Sequence, residues 1–503
     1  MRMKTRNNII TVALLILPLW SFSQERTKIL LEHADSLVHS SKIRPEFQRL
    51  MGNVRLSHDS TILMCDSAFL NDEKNFVLAY GNVHIQVSDT LNLFGDSLNY
   101  DGNTRIAKIW SNVKLIDNET TLTTDTLSFD RITRIASYEY WGKIVNDKNV
   151  LVSKHGYYHT QTKEFFFKEK VVLINPDYVM HSDTLMYNTV TKVTYFYGPS
   201  TIKGKEDSIY CENGWYDTRT DVARFRKNGW IYHLDQVLTG DSLYYERKTG
   251  YGQAFKHAIL IDTVQKTTLT GNYGELQRKK GFAFMTDSAM VKMIDKKDTL
   301  FMHSDTVYAT FDTNQNIHNI RCYYKVKFFR RDLQGMCDSM SYHGRDSTIF
   351  LYHDPVLWSE KNQLTADSIK LTLLNSQIDS MILYTSAFII SIDDTNKYNQ
   401  VKGRDMIGFF RNNELYKIKV IGNSETIYFA REDDRSLIGI TKVYSSDMLI
   451  FVENNHIKTI TYINEPKGVT YPEKDFSPYD LKLKGFKWIE GKRPLTKMDI
   501  FHW

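Results

Sequence analysis

The sequence predicts an all-β fold, a solenoid-like stack of two-strand repeats, and three observations predict it. The 503 residues include 30 Tyr and 27 Phe but only 9 Pro, a composition that favours strands over helices. An Asp-Ser or Asp-Thr pair recurs along the chain with a period of about 29 residues. Two polar turns divide each repeat, which leaves two strands of roughly 9 to 13 residues.

Each repeat is marked by an anchor residue and its neighbours. The anchors are Asp35, Asp66, Asp96, Asp125, Asp183, Asp241, Asp305, Asp338 and Asp367, with degenerate copies at His155, Glu212 and Gly271. A small residue precedes most anchors, and apolar or aromatic residues follow two and four positions later. Alternate side chains of a regular strand share a face. Here, however, the apolar positions change from odd to even offsets at each anchor. We therefore expect a bulge or corner at each anchor, with the small residue inside the bend.

The repeat pattern divides the chain into four parts. Residues 1–23 precede it, residues 24–372 carry it, and residues 373–464 continue the strands with irregular spacing. Residues 465–503 contain four prolines and are predicted to form a terminal cap or tail.

Residues 1–23 are predicted to be a cleaved signal peptide. A basic segment, an apolar segment and a small-residue cleavage site follow one another at Arg2 to Arg6, Ile9 to Trp20 and Ser21 to Ser23. The apolar segment is shorter than the roughly 20 residues that span a bilayer. We expect cleavage near Ser23 and Gln24 and a periplasmic protein, with association with the outer membrane left open.

Charge and cysteine content exclude several classes of protein. Three of the 64 Lys and Arg residues lie in residues 1–23, so the remaining chain has a net charge of +2 and no electrostatic support for binding nucleic acid. The four cysteines are Cys65, Cys211, Cys322 and Cys337, without a C-x-x-C pair or metal-ligand spacing. We expect no cofactor and no metal site, and a Cys322–Cys337 disulfide stays open.

The apolar positions that flank the anchors are predicted to line one continuous inner face. They are Val54, Leu56, Val83, Ile85, Leu98, Tyr100, Val113, Leu115, Leu127, Phe129, Val172, Ile174, Leu185 and Tyr187. Such a face forms either a closed, dry core between two sheets or an open groove for lipid. In a groove, each buried methylene of an acyl chain contributes about 0.8 kcal/mol. Periodicity alone does not distinguish the two.

Two recurring strings resemble those of the OstA/LptA family of periplasmic lipopolysaccharide-transport proteins, and in particular the larger OstA-like proteins of Bacteroidetes type. The strings are Gly52-Asn53-Val54-Arg55-Leu56 and Gly95-Asp96-Ser97-Leu98-Asn99-Tyr100, with related copies in other repeats. The resemblance implies an elongated β-jellyroll whose apolar interior holds the acyl chains of lipid A. It also implies a non-catalytic part of a lipid bridge to the outer membrane, which joins other jellyroll transport proteins at both membranes by edge-strand addition.

Three alternatives remain beside this interpretation. The chain could be an exported scaffold or adhesin with a closed β-solenoid core. A distant third is an esterase, because Gly95-Asp96-Ser97-Leu98, its copy at residues 240–243 and the terminal Asp499-Ile500-Phe501-His502 match the GDSL pattern. That chemistry requires a strand-to-helix turn, which the repeat does not predict. A calcium ladder along the Asp anchors is also conceivable, but we expect corner residues instead.

Overall fold

The structure is a computed structural model and describes residues 27–503 apart from 41–43, 295–297, 376, 412–413, 433, 435, 454–455 and 473–480. The predicted signal peptide at residues 1–23 lies outside the described residues. The chain forms two compact units, Met1–Ile144 and Val145–Trp503, called the N-terminal and C-terminal units below.

The N-terminal unit is a run of antiparallel strands. Its strands are β1 (Leu30–His33), β2 (Ser36–His39), β3 (Gln48–His58), β4 (Thr61–Asn71), β5 (Phe76–Gln86), β6 (Leu91–Asp101), β7 (Ile106–Asp117), β8 (Thr120–Asp130) and β9 (Ile135–Tyr138), and β10 (Gly142–Asn146) spans the boundary. Strands β3 to β9 pair in chain order, and β1 and β2 both pair with β3. Strands of 11 or 12 residues agree with the predicted length.

The C-terminal unit begins with shorter strands and returns to long ones. Its strands are β11 (Asn149–Ser153), β12 (His155–His159), β13 (Glu164–Asn175), β14 (Tyr178–Asn188), β15 (Val193–Phe196), β16 (Ser200–Lys203), β17 (Asp207–Cys211), β18 (Asn213–Asp217), β19 (Val222–Arg226), β20 (Trp230–His233), β21 (Gln236–Thr239), β22 (Ser242–Glu246), β23 (Tyr251–Asp262), β24 (Thr267–Gln277), β25 (Phe282–Ile294), β26 (Thr299–Phe311), β27 (Ile317–Arg330) and β28 (Leu333–His343). The later strands are β29 (Thr348–Tyr352), β30 (Val356–Ser359), β31 (Asn362–Thr365), β32 (Ser368–Leu374), β33 (Gln377–Tyr384), β34 (Phe388–Asp394), β35 (Lys397–Lys402), β36 (Asp405–Arg411), β37 (Glu414–Arg431), β38 (Leu437–Glu453), β39 (His456–Ile463) and β40 (Lys467–Tyr471).

Helical structure in the described residues consists of single 3₁₀ turns. They lie at Arg278–Lys280, Glu490–Lys492 and Asp499–Phe501. The predicted all-β fold of stacked two-strand repeats is therefore confirmed. No helix in the described part of the chain is long and apolar enough to cross a membrane.

The predicted change of parity is confirmed at most anchors, and at the degenerate copies His155 and Gly271 it falls one residue away, at Lys154 and Asn272. The strained backbone, however, lies on the neighbouring strand. In β4 the buried positions change from Cys65 to Ala68 across the exposed Asp66. Opposite Asp66, Gly81 and Asn82 of β5 form a two-residue bulge with φ of 74° and 46°. The Asn82 amide donates to the Asp66 carboxylate at 2.9 Å, and Asn112 donates to Asp96 in the same way. The Asp anchors thus hold the bulge of the next strand, which defines a corner.

The small residue before the anchor satisfies a carbonyl inside the corner. The Ser182 hydroxyl donates to the carbonyl of Thr184 at 3.0 Å, and the Cys65 thiol donates to the carbonyl of Ser67 at 3.3 Å. Ser153, Ser304, Cys337 and Ser445 make the equivalent bond two residues ahead. A buried carbonyl at a bend needs such a partner, which explains why Ser, Thr and Cys recur at this position.

The corners divide each long strand into two halves, and the turns alternate between two edges of the sheet. In the N-terminal unit, one edge carries the β3–β4 turn beside His58. The other edge carries the β6–β7 and β8–β9 turns beside Arg105 and Arg131. Apolar side chains from both halves point to one interior, where Leu56 and Leu127 are fully buried.

Candidate functional site

The interior contains most of the residues that the sequence singles out. Twelve of the fourteen predicted inner-face residues are buried: Val54, Leu56, Val83, Ile85, Leu98, Tyr100, Val113, Leu115, Leu127 and Phe129 in the N-terminal unit, and Leu185 and Tyr187 in the C-terminal unit. None is more than 6% exposed, so these side chains fill the space between the two halves of the strands. Whether they contact lipid stays a prediction.

The inward orientation predicted for Val172 and Ile174 is wrong. The bulge of β13 is Glu169–Lys170, with φ of 59° and 54°, and Val171 follows it directly. Val171 and Leu173 therefore point inward and are buried, whereas Ile174 is 46% exposed. Val172 lines an outer cavity of about 350 Å³. A shift of one residue reverses the face of every side chain that follows, and the sequence did not place this bulge.

A polar cluster joins the two edges of the N-terminal unit. Arg131, after β8, donates to the backbone carbonyl of His58 at 3.1 Å and to the Tyr100 hydroxyl at 2.5 Å. The His58 ring also bonds the Tyr100 hydroxyl. Burial lowers the pKa of His58 and raises the pKa of Tyr100, because both charged forms lose hydration. Tyr100 thus presents its ring to the interior and its hydroxyl to the edge.

The C-terminal unit repeats this arrangement with different chemistry. Tyr187 donates to Asn146 at 3.0 Å and accepts from Asn149 at 3.0 Å, while Asn149 also donates to the Thr218 hydroxyl. Asn146 and Asn149 lie at one edge, and Tyr187 and Thr218 lie at the other. We call these edge-to-edge contacts the polar seam of each unit.

The next repeats of the C-terminal unit place charged groups in the seam. Arg247 makes two bonds to the buried Asp207 carboxylate, at 2.7 and 2.9 Å, and its guanidinium lies over the Tyr178 ring. Burial opposes the charge of Arg247, but its bonds to Asp207 outweigh burial and raise the pKa of the guanidinium. Two paired hydrogen bonds of this kind fix the geometry as well as the charge.

Arg278 is the most buried cation of this part of the seam. It is 6% exposed and donates from Nη1 to the Gln236 side chain at 2.8 Å. Burial lowers its pKa to about 10, because the charged form is poorly solvated there, although Tyr245 and Asp207 oppose the shift. Gln236 in turn donates to the backbone carbonyl of Gln315.

Farther along the C-terminal unit, the chain's own end contacts the edge residues. We call residues 481–503 the C-terminal segment. Gln400 donates to the carbonyl of Leu481 at 2.7 Å and accepts from the amide of Leu483 at 2.9 Å. Gln363 makes the same pair of bonds with Lys487 and Ile489. Each glutamine therefore pairs with the segment's backbone as a neighbouring strand would.

The apolar side of the C-terminal segment packs on inward-facing residues. Leu483 is 3% exposed and belongs to one cluster with Phe388, Ile390, Ile427, Phe429 and Ile440. Ile489 packs against the buried Trp358, and Arg493 makes two bonds to Gln334. The region predicted as a cap or tail thus covers part of the inner face of its own unit.

The other sequence candidates have structural roles in the described residues. The four cysteines are free and buried, so the Cys322–Cys337 disulfide is not formed. Burial raises the pKa of the Cys65, Cys211 and Cys322 thiols to about 12. Ser97 and Ser242 lie in strands β6 and β22, without the strand-to-helix turn that a GDSL serine needs.

The polar seam was not foreseen from the sequence, although a signal for it exists. In most repeats, a polar residue lies at the first position of the strand that follows the bulged strand. These residues include Thr61, Thr120, Asn149, Asp207, Gln236 and Thr267, all of them buried. They are spaced by one or two repeats of about 29 residues, because Leu91 and Tyr178 occupy the two intervening positions. A buried polar residue in phase with apolar positions points to an edge where a partner must lie.

Together, these features define a class of protein: an all-β repeat protein whose cornered strands enclose an apolar interior with a polar seam. Comparison with protein families identifies it further. The model of the OstA-like protein family matches residues 26–183 and 203–293. The chain belongs to this family, which is of the lipid- and lipopolysaccharide-transport type. Among curated proteins, none matches the sequence.

Proposed function

We propose that this protein binds lipopolysaccharide in the periplasm and forms part of a lipid bridge to the outer membrane. The observation that carries the proposal is the combination of family membership with a continuous apolar interior in each unit. The acyl chains of lipid A lie among the inward side chains, and the sugars stay on the polar side of the seam.

Entry of an acyl chain requires the two edges to separate, because the inward side chains fill the interior. The seam contacts oppose this separation, and each typical hydrogen bond contributes about 0.5–1.5 kcal/mol. An acyl chain with about twelve methylenes gains roughly 10 kcal/mol on leaving water. The binding of one acyl chain can therefore offset the loss of several seam contacts. Because each contact is weak, a lipid can break them one after another as it moves along the interior.

Photocrosslinking tests this proposal with a control one residue away. A photoreactive amino acid replaces Leu173, which is buried, or Ile174, which is 46% exposed on the same strand. We expect lipopolysaccharide adducts at Leu173, and also at Ile85 and Phe129, but not at Ile174. Failure to form adducts at all three inward positions in the folded protein would favour the closed scaffold or adhesin.

The ends of the sheets are proposed to dock the jellyrolls of other transport proteins. Strands β1 and β2 pair only with β3 among the described residues, and all eight of their residues are exposed. In the C-terminal unit, the fully exposed β40 pairs with β38. Free strand edges bind a further strand through their backbone groups.

Hydrogen exchange measures this docking directly. After mixing with the purified jellyroll domain of an inner-membrane transport partner, we expect slower exchange of the β1 and β2 amides. The amides of β6, which is already paired on both sides, serve as the internal control. Unchanged exchange at β1, β2 and β40 with partners from both membranes would contradict docking. Periplasmic location is tested separately by cell fractionation.

A further inference from the structure

A cavity of about 300 Å³ lies at the edge of the N-terminal unit, beside the polar seam. Its walls include three arginines, Arg105, Arg131 and Arg134, and a single carboxylate, that of Asp59. These four groups carry a net charge of +2, in a chain whose overall charge is close to neutral. Concentrated positive charge around a cavity favours an anionic ligand.

The contacts of Arg105 leave donors of its guanidinium available for such a ligand. Arg105 contacts Asp59 at 3.2 Å and the Thr27 hydroxyl at 3.4 Å, both through Nη2. A guanidinium has five N–H donors, so most of those of Arg105 are not used in these two contacts. Arg131 is bound to His58 and Tyr100 and is held rigidly, with its side chain 9% exposed.

An independent observation points into the same cavity. Thr61 lines the cavity and is 5% exposed, and its hydroxyl has no hydrogen-bond partner in the described structure. A buried hydroxyl without a partner costs about 1–3 kcal/mol. A ligand oxygen in the cavity would accept from this hydroxyl and remove that cost.

We infer that this cavity binds a phosphoryl group, held by Arg105 and Arg134 with the Thr61 hydroxyl as a further donor. A phosphate dianion matches the net charge of +2, and guanidinium groups bind phosphate through paired hydrogen bonds. The group belongs to a lipid headgroup or to free phosphate. The lipid source rests on the proposed function, since acyl chains in the interior would place their headgroup at the seam.

Titration with inorganic phosphate tests the site in the full mature chain. We expect saturable binding by the wild type and by Lys108→Gln, a control that removes one charge from an exposed position of β7. Arg105→Gln combined with Arg134→Gln should weaken binding at least tenfold, and Thr61→Val severalfold. Thr61→Val should not lower thermal stability, because the lost hydroxyl has no partner in the protein. Equal affinities in all four proteins, or no saturable binding, would overturn the inference.

A lipid arm distinguishes the two sources. Crosslinking from Ile85 is compared for lipid A with and without its phosphates. If the headgroup is the source, the double arginine variant lowers the crosslinking yield for phosphorylated lipid A but not for lipid A without its phosphates. Phosphate binding combined with a yield that the double variant leaves unchanged assigns the cavity to free phosphate. If neither lipid crosslinks to the wild type while phosphate binds, the proposed function fails and the phosphoryl site stands.

Discussion

Two regions of the C-terminal unit use the same edge position in different ways. Between residues 145 and 317, buried polar residues at the edge reach groups of the repeat itself, as Asp207 reaches the Arg247 side chain and Gln236 reaches the Gln315 carbonyl. Between residues 327 and 453, Gln363 and Gln400 reach the backbone of the C-terminal segment instead. The first region is closed by the repeat itself, and the second is covered by a piece of chain from outside the repeat.

The difference follows from what each partner can satisfy. In the first region, the repeat supplies a complementary group at a fixed spacing, as Arg247 does for the Asp207 carboxylate. A glutamine side chain carries an NH₂ donor group and a C=O acceptor side by side, so it can pair with the C=O and N–H of any extended backbone. Glutamine at the edge therefore accepts a segment whose sequence does not follow the repeat.

Deleting residues 481–503 should have the largest effect, because it uncovers the second region and leaves the first region intact. Leu483 and Ile500 are fully buried, and their loss alone exposes apolar surface worth about 3–6 kcal/mol. We expect faster hydrogen exchange in β34 and β37 and increased binding of a hydrophobic dye. Exchange in β13 and β14 should stay unchanged. The matched control is Leu495→Ala, since Leu495 is 68% exposed. Equal protection of β34 with and without the segment would contradict its covering role.

Arg247→Met should have the next largest effect, confined to the region closed by side chains. It leaves the buried Asp207 carboxylate without its cation, which costs about 3–5 kcal/mol. Denaturant titration measures the loss. Arg219→Met, at an arginine whose side chain is 69% exposed, should stay within about 0.5 kcal/mol of the wild type. Similar values for the two variants would show that the charged seam adds no stability.

Gln363→Met should cost about 2 kcal/mol, because it removes both bonds to the segment's backbone and leaves those groups unpaired. The effect should disappear in the chain that lacks residues 481–503, where the two bonds are absent. Gln377→Met, at a half-exposed strand start, is the control. An undiminished cost in the shortened chain would mean that Gln363 acts elsewhere. A double-mutant cycle on denaturation free energies gives the answer.

The smallest predicted effect is one that both regions share. Ser182 and Ser445 each donate to the carbonyl two residues ahead, and each hydroxyl also bonds a serine on the neighbouring strand. We expect Ser182→Ala and Ser445→Ala to cost about 1 kcal/mol each. Unequal costs in thermal unfolding would show that the corners differ between the two regions.

The sequence by itself determined the period, the strands and the corners. Each corner uses local chemistry: the small residue before Asp183 and the Gly-Asn pair opposite Asp66 lie within one or two strands of their partners. The repeat period and the alternation of buried positions were therefore predictable from residue spacing alone. They also placed twelve of the fourteen inner-face residues correctly on the inner side.

Tertiary structure alone decided how the interior is closed. Arg131 meets His58 across 73 residues, and Gln363 meets Ile489 across 126. No pattern in the sequence pairs such residues. Which residues meet across the two edges depends on how successive repeats are stacked on one another. A bulge one position from its expected place likewise turned Val172 and Ile174 outward. Spacing determines what a strand presents on each face, but long-range packing determines what that face meets.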